Sequence, residues 1–260
     1  MKIPQDLVIA LREARHIAVL TGAGISAESS IPTFREAQTG LWAKYDPEEL
    51  ATPQAFKANP LLVLNWYKWR RAIISHANPN PGHFALAKIE SLAAIRGFQF
   101  TLITQNVDGL HQRAGSRKIV EIHGNINRMK CSQCGQFPEL DVQSNEETLH
   151  CKYCEGLLRP DVVWFGENIP INELQAAWRA AQTCDIFLSI GTSSIVQPAA
   201  QLPIISLQNG AIVVEINPNE TPFSRYATFK LQGLSGNELP NLITAVWPKF
   251  ELNLRFYSLL

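Results

Sequence analysis

The fold class predicted for this chain of 260 residues is α/β, built on a parallel sheet. Three observations predict it. Compact apolar runs ("HIAVLT" at 16–21, "FQFTLIT" at 98–104, "DIFLSIGT" at 185–192, "AIVVEIN" at 211–217) alternate with stretches of helical spacing. These runs are mostly apolar without strict alternation, as strands covered on both faces are. And four loop sequences, "TGAG", "TQNVD", "GTSS" and "NPNE", each follow a predicted strand at its carboxyl end, where open parallel sheets bind their ligands.

The elements follow in order. Residues 5–15 read as a short helix leading into the first strand, and the Gly-rich "GAGISAESSIP" comes next. A polar, Pro-punctuated stretch runs to about 60, and helical periodicity marks 61–77 and 83–95. After the strand at 98–104, "KIVEI" (118–122) is another. Residues 128–160 carry Cys, Gly and Glu but no long apolar run, so they predict a metal-stapled module rather than a core. "RPDVVWFGE" (159–167) reads as a strand that is either buried or open to pairing with a peptide. "INELQAAWRAAQT" and "ELPNLITAVW" complete the helices.

Composition narrows the function classes. Hydrophobic residues are 46% and charged residues 18%, which excludes wholesale disorder. Lys plus Arg is 23 and Asp plus Glu is 23, so no net field recruits nucleic acid or an anionic membrane. No secretory signal opens the chain and no run approaches a membrane span, so a cytoplasmic protein without membrane or direct nucleic-acid partners, and a monomer, is expected.

Two motifs carry chemistry by spacing. Gly22, Ala23, Gly24, Ile25, Ser26 and Ala27 fit G-x-G-x-x-A, whose glycines let backbone N–H groups approach a pyrophosphate. Pro32 follows soon after, and no second strand ending in an acidic residue appears within a thirty-residue unit. An ordinary hydride-transfer dehydrogenase is therefore disfavoured. Cys131, Cys134, Cys151 and Cys154 form C-x2-C-x16-C-x2-C, the spacing of a four-thiolate zinc site. A full set of sulfurs leaves no open position, so the ion is structural; His150 is a weaker extra candidate. Cys184 stands apart. Gln105, Asn106, Asp108 and His123 bring amide, carboxylate and imidazole groups to strand ends, where each either ties loops together or serves catalysis.

Taken together, "TGAGISAESSIPTFR", "TQNVDGLHQRAG", "EIHG", the four cysteines, "RPDVVWFGE", "GTSSIVQPAA" and "INPNETP" resemble the sirtuins, from about residue 8 to 246 and in the family's order. The resemblance implies one catalytic region, 1–260. Its Rossmann-like large lobe would take in about 1–34, 92–127 and 169–260. A small lobe would comprise a cofactor loop and helical module (35–91) and a zinc module (128–168). It implies NAD as a consumed co-substrate, one structural zinc, and acyl-lysine proteins or peptides as partners. On the nucleotide side it implies Gly22, Ala23, Gly24 and Ile25, Phe34 and Arg35 in the cofactor loop, Gln105, and Asn106 and Asp108 at the nicotinamide ribose. Gly191, Thr192, Ser193, Asn217 and Ser235 would meet the rest of the dinucleotide. His123 would be the general base, with Asn106 and Asp108 beside it. The acyl oxygen attacks the nicotinamide ribose and nicotinamide leaves, giving an O-alkylimidate; collapse with water yields lysine and 2′-O-acyl-ADP-ribose. Val163, Trp164, Phe165, Gly166 and Glu167 would take the substrate backbone as an added strand. Two departures stand near the expected cleft: Glu36-Ala37, and Asp161 where relatives carry His.

Acyl choice is addressed by "NWYKWRRAI" (65–73). The subgroup that removes succinyl, malonyl and glutaryl groups carries Tyr-x-x-Arg on a small-lobe helix and a small residue nearby. Tyr67, Arg70 and Ala51 match. Residues three apart share a helix face, so a phenol and a guanidinium converge on one carboxylate, while Lys68 and Arg71 are expected at the surface. The resemblance thus implies a desuccinylase/demalonylase that keeps some acetyl turnover. The alternatives are a plain deacetylase, a mono-ADP-ribosyltransferase, and a non-enzymatic NAD sensor.

Overall fold

The computed structural model describes residues 3–32, 45–138 and 150–248. Helix α1 (Gln5–Glu13) leads into β1 (His16–Thr21), and α2 (Ala23–Ala27) follows the Gly-rich turn. Helices α3 (Pro47–Leu50), α4 (Pro53–Ala58), α5 (Pro60–His76) and α6 (Pro81–Arg96) precede β2 (Gln99–Thr104). Then come α7 (Leu110–Arg113), β3 (Ile119–Glu121), β4 (Gly124–Cys131), β5 (Leu158–Val162), α8 (Ile171–Thr183) and β6 (Ile186–Ile190). Helix α9 (Leu202–Gln208), β7 (Ile212–Asn217), β8 (Phe229–Gln232) and α10 (Ser235–Val246) complete the order.

Six strands make one parallel sheet in the order β3-β2-β1-β6-β7-β8, a doubly wound arrangement. Alternation along the strands splits the core. Ile17, Val19, Leu188 and Val214 face a layer built from α1, α6 and α10. Ala18, Leu20, Phe187 and Val213 face the layer of α8 and α9. A third cluster lies outside the sheet: Phe56, Val63, Trp66, Tyr67 and Ile74 of the helices pack on Ile126, Val162 and Trp164 of the antiparallel β4–β5 pair.

Local sequence explains the helix starts. Asn59 accepts from the Leu62 N–H with Pro60 in the first turn of α5, and Asn80 forms a capping box with His83 ahead of α6. Helix α6 ends on Gly97 in the left-handed region at φ 80°. The expected lobe junction at 91/92 falls inside α6, whose Ala85, Leu86, Ile89 and Leu92 pack with the sheet core, so this helix goes with the sheet. Helix α10 starts at Ser235, three residues before the expected start, because Glu28 accepts from Ser235 Oγ and the Gly236 N–H at its first turn. Strand β8 and helix α9 were not expected; each is short, and Pro203 opens α9. Among the described residues, no helix is long and apolar enough to cross a membrane.

Candidate active site

Strands β1 and β6 are neighbours, and from them the chain winds outward in opposite directions. A crevice opens at the carboxyl end of such a pair. Here two loops meet backbone to backbone: the Gly22 N–H donates to Ile190 O at 3.0 Å and the Gly24 N–H to Gly191 O at 2.7 Å. A Cβ on Gly24 would sit 2.7 Å from the Gly191 backbone, and Gly191 itself has φ +57°. Only glycine permits this approach. Thr192 is held from both sides, its hydroxyl by Gln105 Nε2 at 3.1 Å and its carbonyl by Asn217 Nδ2 at 2.9 Å. These residues line one cleft of about 1040 Å³ that continues to α5 and the segment after β5.

Beneath the loops lies a polar floor. Asn106 Nδ2 donates to Gly22 O at 2.9 Å and to Ser26 Oγ at 3.0 Å, and Ser26 Oγ donates to Asp108 at 2.7 Å. Burial pushes the Asp108 carboxyl up, against the Leu110 N–H, the Ser26 hydroxyl and the charge of Arg70. His123 opens on the same cleft, its Nδ1 3.1 Å from Gln105 O. A carbonyl only accepts, so Nδ1 carries the hydrogen and Nε2 is left as a base. Burial lowers the His123 pKa and the Gln105 bond opposes it, so the imidazole is neutral near pH 7. Deeper down, the Asn106 N–H and the Thr21 hydroxyl both donate to Thr104 Oγ1. His111 Nε2 lies 2.9 Å from Thr21 Oγ1; since Thr21 gives its proton to Thr104, Nε2 is the donor. His83 lies against His111 with ring centroids 4.9 Å apart. Burial depresses both histidines, His83 to about 3 and His111 to about 4.

At the far end α5 supplies Tyr67, Arg70 and Ile74, spaced three and four apart on one face, and Ala51 lines the same cleft. Tyr67 is buried at 1% exposure, and burial pushes its phenol up to about 12. Burial also lowers the Arg70 pKa, with Tyr67 and Asp108 the charges that oppose it. Arg70 stands over the Trp66 ring at 5.0 Å, as residues four apart on a helix do.

Most predicted residues converge on this cleft, including Ser193, Val163, Trp164, Phe165, Gly166 and Glu167. Several do not behave as expected. Ile25 is fully buried in the sheet core, and Ser235 is buried against Glu28, away from the lining. Asp161 pairs with Arg128 and Lys130 on the β4–β5 pair, so it is a hairpin residue rather than a cleft residue. Arg71 is half-buried and meets the Met129 sulfur at 3.9 Å, whereas Lys68 is exposed as expected. In the run 162–167 most N–H groups already have partners within the protein. Strand β5 ends at Val162, and the N–H groups of Val163, Trp164, Phe165 and Glu167 donate to His123 O, Glu167 Oε2, Ala51 O and Trp164 O. Phe34, Arg35, Glu36 and Ala37 lie outside the described residues. Sequence reasoning singled out neither Ser26 nor Ile74, though the motif contains Ser26 and helical spacing from Tyr67 reaches Ile74.

The four cysteines come together as expected, their sulfurs all within 4.8 Å of one another. Cys131 and Cys154 sulfurs are 3.4 Å apart, Cys134 and Cys151 sulfurs 3.7 Å. A tetrahedral ion with bonds of about 2.3 Å would set sulfurs about 3.8 Å apart, so the set fits zinc. The Gln133 and Cys134 N–H groups point at Cys131 Sγ, which suits a thiolate. His150 is exposed and bonds Glu155 O instead.

Comparison with known proteins agrees with this geometry. The Sir2 family model matches residues 22–198. NAD-dependent protein deacylase 2 of Pyrobaculum aerophilum is 51% identical over 236 residues, 91% of this chain and 93% of that one. The NAD-dependent protein deacylase of Aquifex aeolicus is 51% identical, covering 83% of this chain and 88% of that one. A crystal structure of a Sir2 homologue–NAD complex superposes with a TM-score of 0.87 at 43% identity, covering 95% of each chain. A Sir2 protein with a p53 peptide and NAD+ gives 0.80 at 32% identity, covering 94% of this chain and 98% of that one. A fold wound about the β1–β6 crevice, a glycine-lined cleft and a four-sulfur cluster thus accompany a sequence match across most of the chain, which belongs to the Sir2 family, the sirtuins.

Proposed function

We propose that this sirtuin is an NAD-dependent protein lysine deacylase whose cleft favours acidic acyl groups, succinyl and malonyl, over acetyl. The deacylase activity is that of its relatives. One observation carries the acyl preference: Tyr67 and Arg70 share the face of α5 that lines the cleft.

NAD supplies the reactive ribose when bound, and the glycine contact between the β1 and β6 loops is shaped for its pyrophosphate. The chain's own groups do the rest. Asn106 and Asp108, braced by Ser26, hold polar atoms at the floor of the cleft. His123 Nε2 takes the proton from a ribose hydroxyl, with Nδ1 fixed on Gln105. Lysine, nicotinamide and 2′-O-acyl-ADP-ribose are the products. The four thiolates hold zinc and brace the β4–β5 pair that carries the segment after Val162. Thiols kept reduced for zinc fit a cytoplasmic protein.

Arg70 is partly buried, and that burial disfavours its charged form. A carboxylate brought to it restores charge balance in a low-dielectric site, and Tyr67, protonated throughout the physiological range, donates a second hydrogen bond. A hydrogen bond to a charged group contributes about 1.5–3 kcal/mol, roughly a ten- to hundredfold preference. Asp108 supplies part of the balancing charge when acetyl is bound, so acetyl turnover persists. A related structure holds 2′-O-acetyl ADP ribose, which fits that retained activity.

The test is steady-state kinetics on matched succinyl- and acetyl-peptides with NAD, for wild type and Arg70→Met. Selective loss of succinyl turnover in the variant supports the reading. A wild type that prefers acetyl, with neither rate changed by Arg70→Met, contradicts it.

A further inference from the structure

At the acyl end of the cleft, two lining residues from distant segments are bonded to each other. Trp164 Nε1 donates to the Tyr67 hydroxyl oxygen at 2.8 Å, a buried bond between segments 97 positions apart in the chain. Indole nitrogen is a donor only, so the Tyr67 oxygen is the acceptor in this bond. A phenolic O–H lies near the plane of its ring, with one in-plane position for the proton and one for an accepted hydrogen. With Trp164 occupying the acceptor position, the Tyr67 proton takes the other. Tyr67 therefore meets a ligand as a donor, which suits a carboxylate and not an amide N–H.

Trp164 is itself held. The Arg159 guanidinium carbon lies over its ring, 3.2 Å from the centroid. Glu167 grips that guanidinium through both oxygens, at 2.5 and 3.0 Å, and accepts the Trp164 backbone N–H at 2.9 Å. Arg159 is 4% exposed, so this cation works in a low-dielectric setting. A cation on an indole face draws electron density from the ring and strengthens its N–H as a donor. Phe56 closes on Trp164 at 5.3 Å, which leaves the indole little freedom.

We propose that Trp164, braced by Arg159 and Glu167, is a positioning residue for acyl selection: its indole N–H fixes the Tyr67 hydroxyl as a proton donor toward an acidic acyl group. The inference rests on the acidic-acyl reading above. It adds that selectivity depends on a hydrogen bond within the cleft wall as well as on bonds to the substrate.

Trp164→Phe keeps an aromatic ring for the Arg159 stack and deletes the donor. The readout is the ratio of kcat/KM for succinyl- over acetyl-peptide, measured in wild type, Trp164→Phe, Tyr67→Phe and the double variant. The expected result is a drop in the ratio of about fivefold to tenfold for Trp164→Phe, a similar drop for Tyr67→Phe, and no further drop in the double variant. Arg159→Lys, which keeps the charge but loses the planar stack, moves the ratio in the same direction by less. It stands in for Trp164→Phe if that variant fails to fold. A ratio unchanged in Trp164→Phe, or an effect that persists undiminished when Tyr67 is already Phe, overturns the proposal. Arg70→Met separates the two failures. If Arg70→Met collapses the ratio and Trp164→Phe does not, only the positioning role falls; if neither changes it, the acidic-acyl reading falls as well.

Discussion

At the switch-point end of the cleft, the wall is backbone: the Gly22 N–H bonds Ile190 O at 3.0 Å and the Gly24 N–H bonds Gly191 O at 2.7 Å, with short polar side chains fastening the loops. At the α5 end, the wall is side chain, with Tyr67, Arg70 and Trp164 brought together from segments far apart in sequence. The difference teaches where variation is tolerated. A backbone wall has no spare volume, so any added atom displaces a loop. A side-chain wall can exchange one chemistry for another while the sheet beneath stays as it is.

That contrast can be broken or sharpened in four ways, from the largest effect to the smallest. Gly24→Val puts branched carbon where a single Cβ already lies 2.7 Å from Gly191. We expect turnover on every acyl-peptide to disappear and NAD to lose its stabilising effect in thermal melts, while zinc content is retained. Normal NAD binding by this variant would mean that the loops are not in contact. His123→Ala removes the base and is expected to cost about 10²–10⁴ in kcat, equally for succinyl- and acetyl-peptides, since the proton it takes is the same for both. A change in the succinyl-to-acetyl ratio would blur the two ends.

Arg70→Met acts only on the side-chain end. Succinyl efficiency should fall about ten- to hundredfold with acetyl efficiency little altered and NAD KM unchanged, read by initial rates. The smallest effect concerns the histidines under the floor. His83 and His111 have folded pKa values of about 3 and about 4, below the ordinary value of 6.5. The unfolded chain binds the extra protons between these values. Stability from this pair is therefore complete above about pH 6.5 and is lost as pH falls toward 4, by up to about 1.4 kcal/mol per pH unit for each histidine. Denaturant midpoints between pH 7 and 5 should show this slope, and His111→Asn should flatten it. An unchanged slope would place the acid sensitivity elsewhere.

The backbone end was legible in the sequence because short contiguous runs encode it. "TGAG" and "GTSS" announce glycines and polar loops at strand ends, and C-x2-C spacing announces the thiolate cluster. Strand boundaries such as His16–Thr21 matched the apolar run residue for residue. The side-chain end was legible only at its two charged or polar tips. Tyr67 and Arg70 stand out by helical spacing, but nothing in "RPDVVWFGE" says that Arg159 stacks on Trp164 or that the indole reaches α5. Those are tertiary contacts, without a local period. Ser235 and Asp161 each have a polar partner, Glu28 or Arg128, that local sequence does not reveal. The strand expected over 159–167 stops at Val162, because Gly166, at φ +84°, turns the chain and the N–H groups of Val163, Trp164, Phe165 and Glu167 find partners inside the protein.

The most direct test of the account is a competition in one tube. Succinyl- and acetyl-peptides of identical sequence are mixed in equal amounts with NAD and a limiting amount of enzyme, and both products are followed by mass spectrometry. The product ratio at early times equals the ratio of kcat/KM values. The account predicts that the succinyl-peptide is consumed about ten- to hundredfold faster, and that Arg70→Met abolishes the advantage. Equal consumption, or preference for the acetyl-peptide by the wild type, would contradict it.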